Sequence, residues 1–197
     1  MTDVAVDACC LINLLAANCV LPKPPLQKVN PKGSHRTHEL TSLGLVLHVP
    51  AVVASETLYI LGPDHNDPAK LRKSPIDLDP YFTDGILQPC DVEGEDETAF
   101  FVGFANRLDD GEAACLAIAK NRNWLLATDD ILATTLAVRQ GVVVLTTAEL
   151  LKRWATNTKV TEQEIAAAIQ SIQRFARFVP RSNSPEVAWW LSHLQNE

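Results

Sequence analysis

Short apolar runs alternate with stretches of helical spacing along most of this chain, and that alternation constrains the fold more than any other feature. Val4-Ala5-Val6 has the length of a buried strand and stops at Asp7, and residues 10–19 then read as an apolar helix. Residues 45–49 read as a second strand. Pro50 opens a helix expected to run to about Leu61, since proline is well tolerated in a first turn. Residues 86–88 suit a further short strand, and residues 94–107 and 111–121 suit two helices. Residues 124–127 read as a strand ending at Thr128-Asp129-Asp130, with a helix over 131–140, a strand over 142–145 and a helix over 147–155 behind it. Gly141 is placed to stop the first of these helices. Repeated strand–helix units predict an α/β fold with helices on both faces of a parallel sheet. In such sheets functional groups collect where the strands end, at the carboxyl edge.

Proline punctuates this pattern unevenly. Ten of the twelve prolines fall between Pro22 and Pro89. The stretches near 22–40 and 62–85 therefore read as long polar connections inserted into a main domain over 1–155. Residues 156–197 read as a C-terminal helical extension. There Ile165, Ile169, Ile172, Ala176 and Val179 recur at helical spacing behind Thr161-x-x-Glu164, which has the form of a capping box. Val187, Trp190, Leu191 and Leu194 suggest one more short helix. The extension either packs on the main domain or meets a partner or a second chain, and the adjacent indoles of Trp189 and Trp190 cannot both face inward.

Composition excludes several classes. At 47% apolar and 21% charged residues, 197 residues can bury a core, so global disorder is excluded. No apolar run approaches the length of a membrane span. The first apolar stretch carries Asp3 and Asp7 and has no basic residue ahead of it, unlike a secretory signal. Five cysteines, an odd number without a Cys-x-x-Cys, argue against a disulfide framework or zinc cluster and fit a reducing cytoplasm. The formal net charge of −7 argues against a protein that grips nucleic acid by bulk electrostatics alone. Residues 51–100 by themselves sum to −8, so that acidity is local.

Several acids fall at strand ends and helix starts. Asp7 ends the first strand, Glu56 lies on the helix after Pro50, and Glu112 opens the helix at 111 with Asp109 and Asp110 just ahead of it. Asp129 and Asp130 follow the strand at 124–127. Each alone is explained by strand termination or by the preference of acids for a first helical turn. Together, on one sheet edge, they would repel unless a cation compensated them. Mg²⁺ and Mn²⁺ prefer such oxygen ligands, and one or two of these ions can activate water and clamp a phosphodiester.

The segments that carry these acids resemble the PIN-domain nucleases, including the toxin ribonucleases of toxin–antitoxin pairs. VDACCLINLL (6–15) is similar to the family's opening strand and helix, and VPAVVASETLYIL (49–61) to its second acidic segment. Residues 108–151, with Gly-Glu-Ala, Thr-Asp-Asp and Val-Val-Val-Leu-Thr-Thr in order, are similar to its closing half. The resemblance implies a three-layer α/β/α PIN-like fold and a Mg²⁺- or Mn²⁺-dependent endoribonuclease. By position it makes Asp7, Glu56 and Glu112 the first three metal-binding acids and Asp129 or Asp130 the fourth. Thr128 and Asn13 would support the site. Cys9 stands where many members carry Ser or Thr. The resemblance also implies an RNA substrate and leaves room for an antitoxin or other protein partner and for a homodimer. The alternative from another class is a PIN-like protein-interaction module without catalysis.

Other features are less specific. Lys23, Lys28, Lys32 and Arg36 make residues 23–38 the most basic stretch, a candidate to hold an RNA backbone or simply a solvated loop. His35-x-x-His38 lacks a third ligand at metal-binding spacing. Trp124 reads as core. Asp91, Glu93, Glu95, Asp96 and Glu97 read as a solvated helix start.

Overall fold

In the computed structural model, which describes residues 1–17, 43–56, 58–63 and 70–194, five parallel strands form the central sheet. They are β1 (Thr2–Val6), β2 (Leu45–Pro50), β5 (Leu87–Cys90), β6 (Leu125–Ala127) and β7 (Val144–Leu145), in the order β5-β2-β1-β6-β7. β1 is central. Val4, Ala5 and Val6 are fully buried, as expected for a strand covered on both faces. Its register sets Asp3 beside Val46 and Val6 beside Ala127.

Helices cover both faces and keep the strands parallel. These are α1 (Ala8–Ala17), α2 (Ala51–Ser55), α3 (Asp79–Thr83), α4 (Gly94–Ala105), α5 (Asp110–Arg122), α6 (Ile131–Arg139) and α7 (Thr147–Asn157). In α5 every residue from Ala113 to Ala119 is buried, so this helix is apolar on all sides and lies deep in the molecule. It stops at Asn123, whose left-handed backbone (φ 54°) is a conformation asparagine tolerates.

The strand order fixes where function is expected. From β1 the chain builds outward through β2 to β5, then returns to the other side of β1 for β6 and β7. The order reverses between β1 and β6, and the crevice beyond their carboxyl ends is the switch point of the sheet. Asp7 N–H donates to the Ala127 carbonyl (3.0 Å), tying the two strand ends together there.

The structure departs from the sequence expectation between residues 50 and 85. The helix after Pro50 ends at Ser55, and Glu56 is its C-cap in extended conformation, not a residue within the helix. Beyond it, β3 (Tyr59–Pro63) pairs antiparallel with β4 (Leu71–Pro75), a hairpin sheet separate from the central one. Aromatic and β-branched residues favour such a surface, and Lys73 lies 4.0 Å over the Tyr59 ring. The second polar connection therefore holds the returning strand β4 and the one-turn α3. The basic residues Lys23, Lys28, Lys32 and Arg36, with His35 and His38, lie outside the described residues.

Beyond α7 the chain forms α8 (Glu162–Ser171), a π-turn (Ile172–Ala176) and α9 (Val187–Ser192). The Thr161–Glu164 capping box is present. Ile165, Ile169, Ile172 and Trp190 join the same hydrophobic core as the sheet, so the extension packs on the main body. Of the paired indoles, Trp190 is buried and Trp189 is half-buried against His193. Among the described residues no helix is long and apolar enough to cross a membrane.

Candidate active site

Asp7 occupies the switch point because β1 ends there and α1 begins at the next residue. It is buried, and its carboxylate accepts from Ala8 N–H (2.7 Å), the Cys9 thiol (2.9 Å) and the Thr128 hydroxyl (3.0 Å). Burial raises its pKa, and these three donors offset only part of that. Cys9 thus makes a hydrogen bond to Asp7 from the position where the resemblance implies Ser or Thr. Burial and the adjacent Asp7 charge push the Cys9 thiol well above its ordinary range. It is a hydrogen-bond donor to Asp7 and also accepts from Asp129 N–H at 3.3 Å.

Thr128 is fully buried and links two acids. Its hydroxyl donates to Asp7 and accepts from Asp130 N–H (3.1 Å). The two neighbouring acids face different surroundings. Asp130 caps α6 through Ala133 N–H (2.8 Å), and its charge is felt at Glu112. Asp129 turns into the protein. It accepts from Thr147 N–H (3.0 Å), from the Thr147 hydroxyl and from Asn13 Nδ2 (3.1 Å). Asn13, buried on α1, also meets the Thr147 hydroxyl at 3.1 Å. Asp129 and Asn13 therefore lock the end of β6 to α1 and to the start of α7.

Glu56 and Glu112 reach the same crevice from the other side. Glu112 is in the first turn of α5. Burial raises its pKa to about 7, with further contributions from the charges of Asp109, Asp130 and Asp7. Burial likewise raises Glu56, followed by Asp109 and Asp7. The Glu56 carboxylate lies over Gly111, where a methyl group would collide with its Oε1. Glycine at the second residue of α5 gives that carboxylate its place beside Glu112.

Asp109 is a further acid at the crevice. It is the N-cap of α5, accepting from Glu112 N–H at 2.8 Å, and its charge raises the pKa of Asp7, Glu56 and Glu112 together. In sequence it reads only as the residue ahead of the helix, and a cap role accounts for it without a site. Its place beside three other acids depends on the docking of α5 against β1 and β2. A second residue without a local signal is Arg181, which follows the buried Pro180 and donates to the Asp129 carbonyl.

The donor set is all oxygen, and burial with neighbouring charge holds Asp7, Glu56 and Glu112 toward their protonated forms. That chemistry fits a hard divalent cation. Among the described residues no three His, Cys, Asp or Glu side chains close on a single point as a finished cage would.

A family model for the PIN domain, a nuclease-type fold, matches residues 39–187. Searches of curated proteins and of solved structures each gave no significant match. The match begins after β1, so Asp7 and Asn13 join the site through the sheet geometry and not through the aligned segment. The matched segment runs from β2 to the first residue of α9, including Glu56, Glu112 and the Thr128–Asp130 turn, and on that coverage the chain belongs to the PIN-domain family.

Proposed function

We propose that the protein is a metal-dependent endoribonuclease that hydrolyses phosphodiester bonds of RNA at the crevice between β1 and β6. The observation that carries this reading is the convergence of Asp7, Glu56, Glu112 and Asp130 on one sheet edge, where burial and mutual repulsion favour protonation of three of them. Such a cluster costs stability unless a cation takes the place of the protons. Asp7, Glu56, Glu112 and Asp130 would hold Mg²⁺ or Mn²⁺, with Asp109 at the mouth. When bound, the ion supplies Lewis-acid stabilisation of the phosphodiester oxygens and lowers the pKa of an attacking water.

The protein's own residues set the stage. The Thr128 hydroxyl and the Cys9 thiol orient the Asp7 carboxylate through two donors on one oxygen. The Asp129–Asn13–Thr147 lock fixes the turn that carries Thr128 and Asp130. Burial and the Asp7 charge favour the protonated Cys9 thiol, which suits it to donate to the Asp7 carboxylate.

The test is cleavage of single-stranded RNA by the purified protein with Mg²⁺ or Mn²⁺, repeated with chelator and with Asp7→Asn. The expected result is cleavage that chelator and the substitution both abolish. Equal activity in Asp7→Asn overturns the assignment.

A further inference from the structure

Beside the acidic crevice lies a cleft of about 430 Å³ with a wall the ribonuclease reading does not use. One side is the turn at Asp129 with Thr134 and Thr146, and the other is the segment from Phe178 to Glu186. That segment is held in place. The chain leaves the π-turn through Arg177 in left-handed conformation (φ 57°), buries Pro180, and turns back with Ser184 N–H on the Arg181 carbonyl (2.9 Å). Arg181 lies exposed at its apex, with one Nη on the Asp129 carbonyl. Among the described residues its guanidinium pairs with no carboxylate.

Position and chemistry identify what this cleft takes. Asp129 sits between Thr128, which touches Asp7, and Asp130, whose charge reaches Glu112. Arg181 is therefore anchored one backbone residue from both halves of the acidic site. A guanidinium with remaining N–H donors in a planar fork suits a phosphate. Half-buried Phe178 lies on the same wall, packed edge-to-face with Trp190 (centroids 5.7 Å), and an unstacked base would lie on the part of its ring that borders the cleft. Two carboxylates also line the cleft, Glu149, which is paired with Arg153, and Glu186, which accepts from the Ser184 hydroxyl (3.0 Å); they disfavour a bare anion, and Glu186 suits a base edge bearing N–H donors.

We propose that this cleft is the subsite for the nucleotide next to the cleaved bond of single-stranded RNA, with Arg181 on its phosphate and Phe178 under its base. The proposal rests on the ribonuclease reading. It adds a binding role for the segment between α8 and α9.

The test separates the two. Binding of a short fluorescein-labelled single-stranded RNA to the full chain is followed by anisotropy in chelator, across a salt series, beside steady-state cleavage with Mn²⁺. Arg181→Ala is expected to weaken binding about tenfold and to raise KM by a larger factor than it lowers kcat. Loss of one phosphate contact also reduces the slope of log K against log salt by about 0.7. Arg181→Lys should restore most of the salt slope, which a purely structural role for Arg181 would not do. Phe178→Leu should weaken binding about fivefold or more without changing that slope, with its melting curve confirming the fold. Unchanged binding, KM and salt slope in Arg181→Ala overturn the subsite and leave the ribonuclease reading intact. Arg181-dependent binding by a wild-type protein that cleaves no RNA overturns the ribonuclease reading and the subsite's place next to a cleaved bond, and keeps only the RNA contact of Arg181. A wild-type protein that neither binds nor cleaves RNA overturns both.

Discussion

Two carboxylate sites in this molecule, one around buried Glu97 and one around buried Asp7, are arranged in opposite ways. Glu97 on α4 is 2% exposed and fully answered. Arg122 at the end of α5 grips it through Nε (2.7 Å) and Nη2 (2.9 Å), Asn121 adds a donor at 3.2 Å, and Glu93 N–H adds another at 2.8 Å. Burial alone would raise its pKa, but these donors and the Arg122 charge outweigh it and hold the carboxyl below its ordinary value. At the switch point the balance is reversed. Asp7 has three donors, yet burial and the Asp109 charge raise it, and burial with the charges of Asp109 and Asp7 raises Glu56 and Glu112. One acidic position stabilises the fold as it stands. The other stores electrostatic cost that a ligand can relieve, which is how a site differs from an ion pair.

Substitutions at the two sites should therefore separate activity from stability. The largest effect is expected for Asp7→Asn. It should reduce RNA cleavage more than about 100-fold, beyond the loss usual for an outer-shell partner, while the melting temperature without divalent ions stays the same or rises. A falling melting temperature with retained cleavage would erase the distinction. Glu97→Gln should do the converse. It takes from the Arg122 guanidinium the nearer of its two counter-charges, leaving Glu93 at 3.8 Å, at a cost of about 2–4 kcal/mol in urea unfolding, with kcat little changed.

The contrast was only half legible in the sequence. Asp7, Glu112 and the Thr128–Asp130 turn could be read because strand ends and helix starts are local patterns. The strand–helix alternation around them pointed to the parallel sheet and its carboxyl edge. Glu97 reads as part of a solvated acidic run because its partner is 25 residues away, and only the packing of α4 on α5 joins them. The hairpin β3–β4 is hidden for the same reason. Residues 50–61 carry apolar spacing compatible with a helix, and Tyr59 and Ile60 become strand only through pairing with Pro75 and Ser74. Asp109 has a sufficient local explanation as a cap, and Arg181 meets Asp129 across 52 residues. What escaped is non-local pairing, whether of backbone or of charge.

A subtler change probes the packing of the raised site. Gly111→Ala adds a methyl that meets the Glu56 carboxylate and, at 3.3 Å, Val53 Cγ2. Alanine is the better helix former by about 0.5–1 kcal/mol, which offsets much of the contact, so stability should change by less than about 1 kcal/mol. Glu56 must swing away, and RNA cleavage should fall about tenfold, on the scale of a displaced site group. Equal activity would mean that Glu56 need not lie over α5 to act.

The smallest effect is a difference in pH dependence. Glu112 is raised from its ordinary 4.5 to about 7, so between those values the folded protein binds more protons than the unfolded chain. The stability this group contributes is complete below about 4.5 and is lost as pH rises through about 7. Glu97 has the opposite sign. Its contribution is present above 4.5 and is lost only as pH falls through its lowered value. Between pH 5 and 8, without divalent ions, the melting temperature should therefore carry a downward slope from Glu112 and none from Glu97. Glu112→Gln should flatten that slope and raise the melting temperature at pH 8, while Glu97→Gln should lower the whole curve and leave the slope unchanged. Millimolar Mn²⁺ should flatten the wild-type slope as Glu112→Gln does, because the ion takes the place of the proton. A wild-type slope that neither Glu112→Gln nor Mn²⁺ alters would show that the crowded carboxylates are no more strained than the paired one.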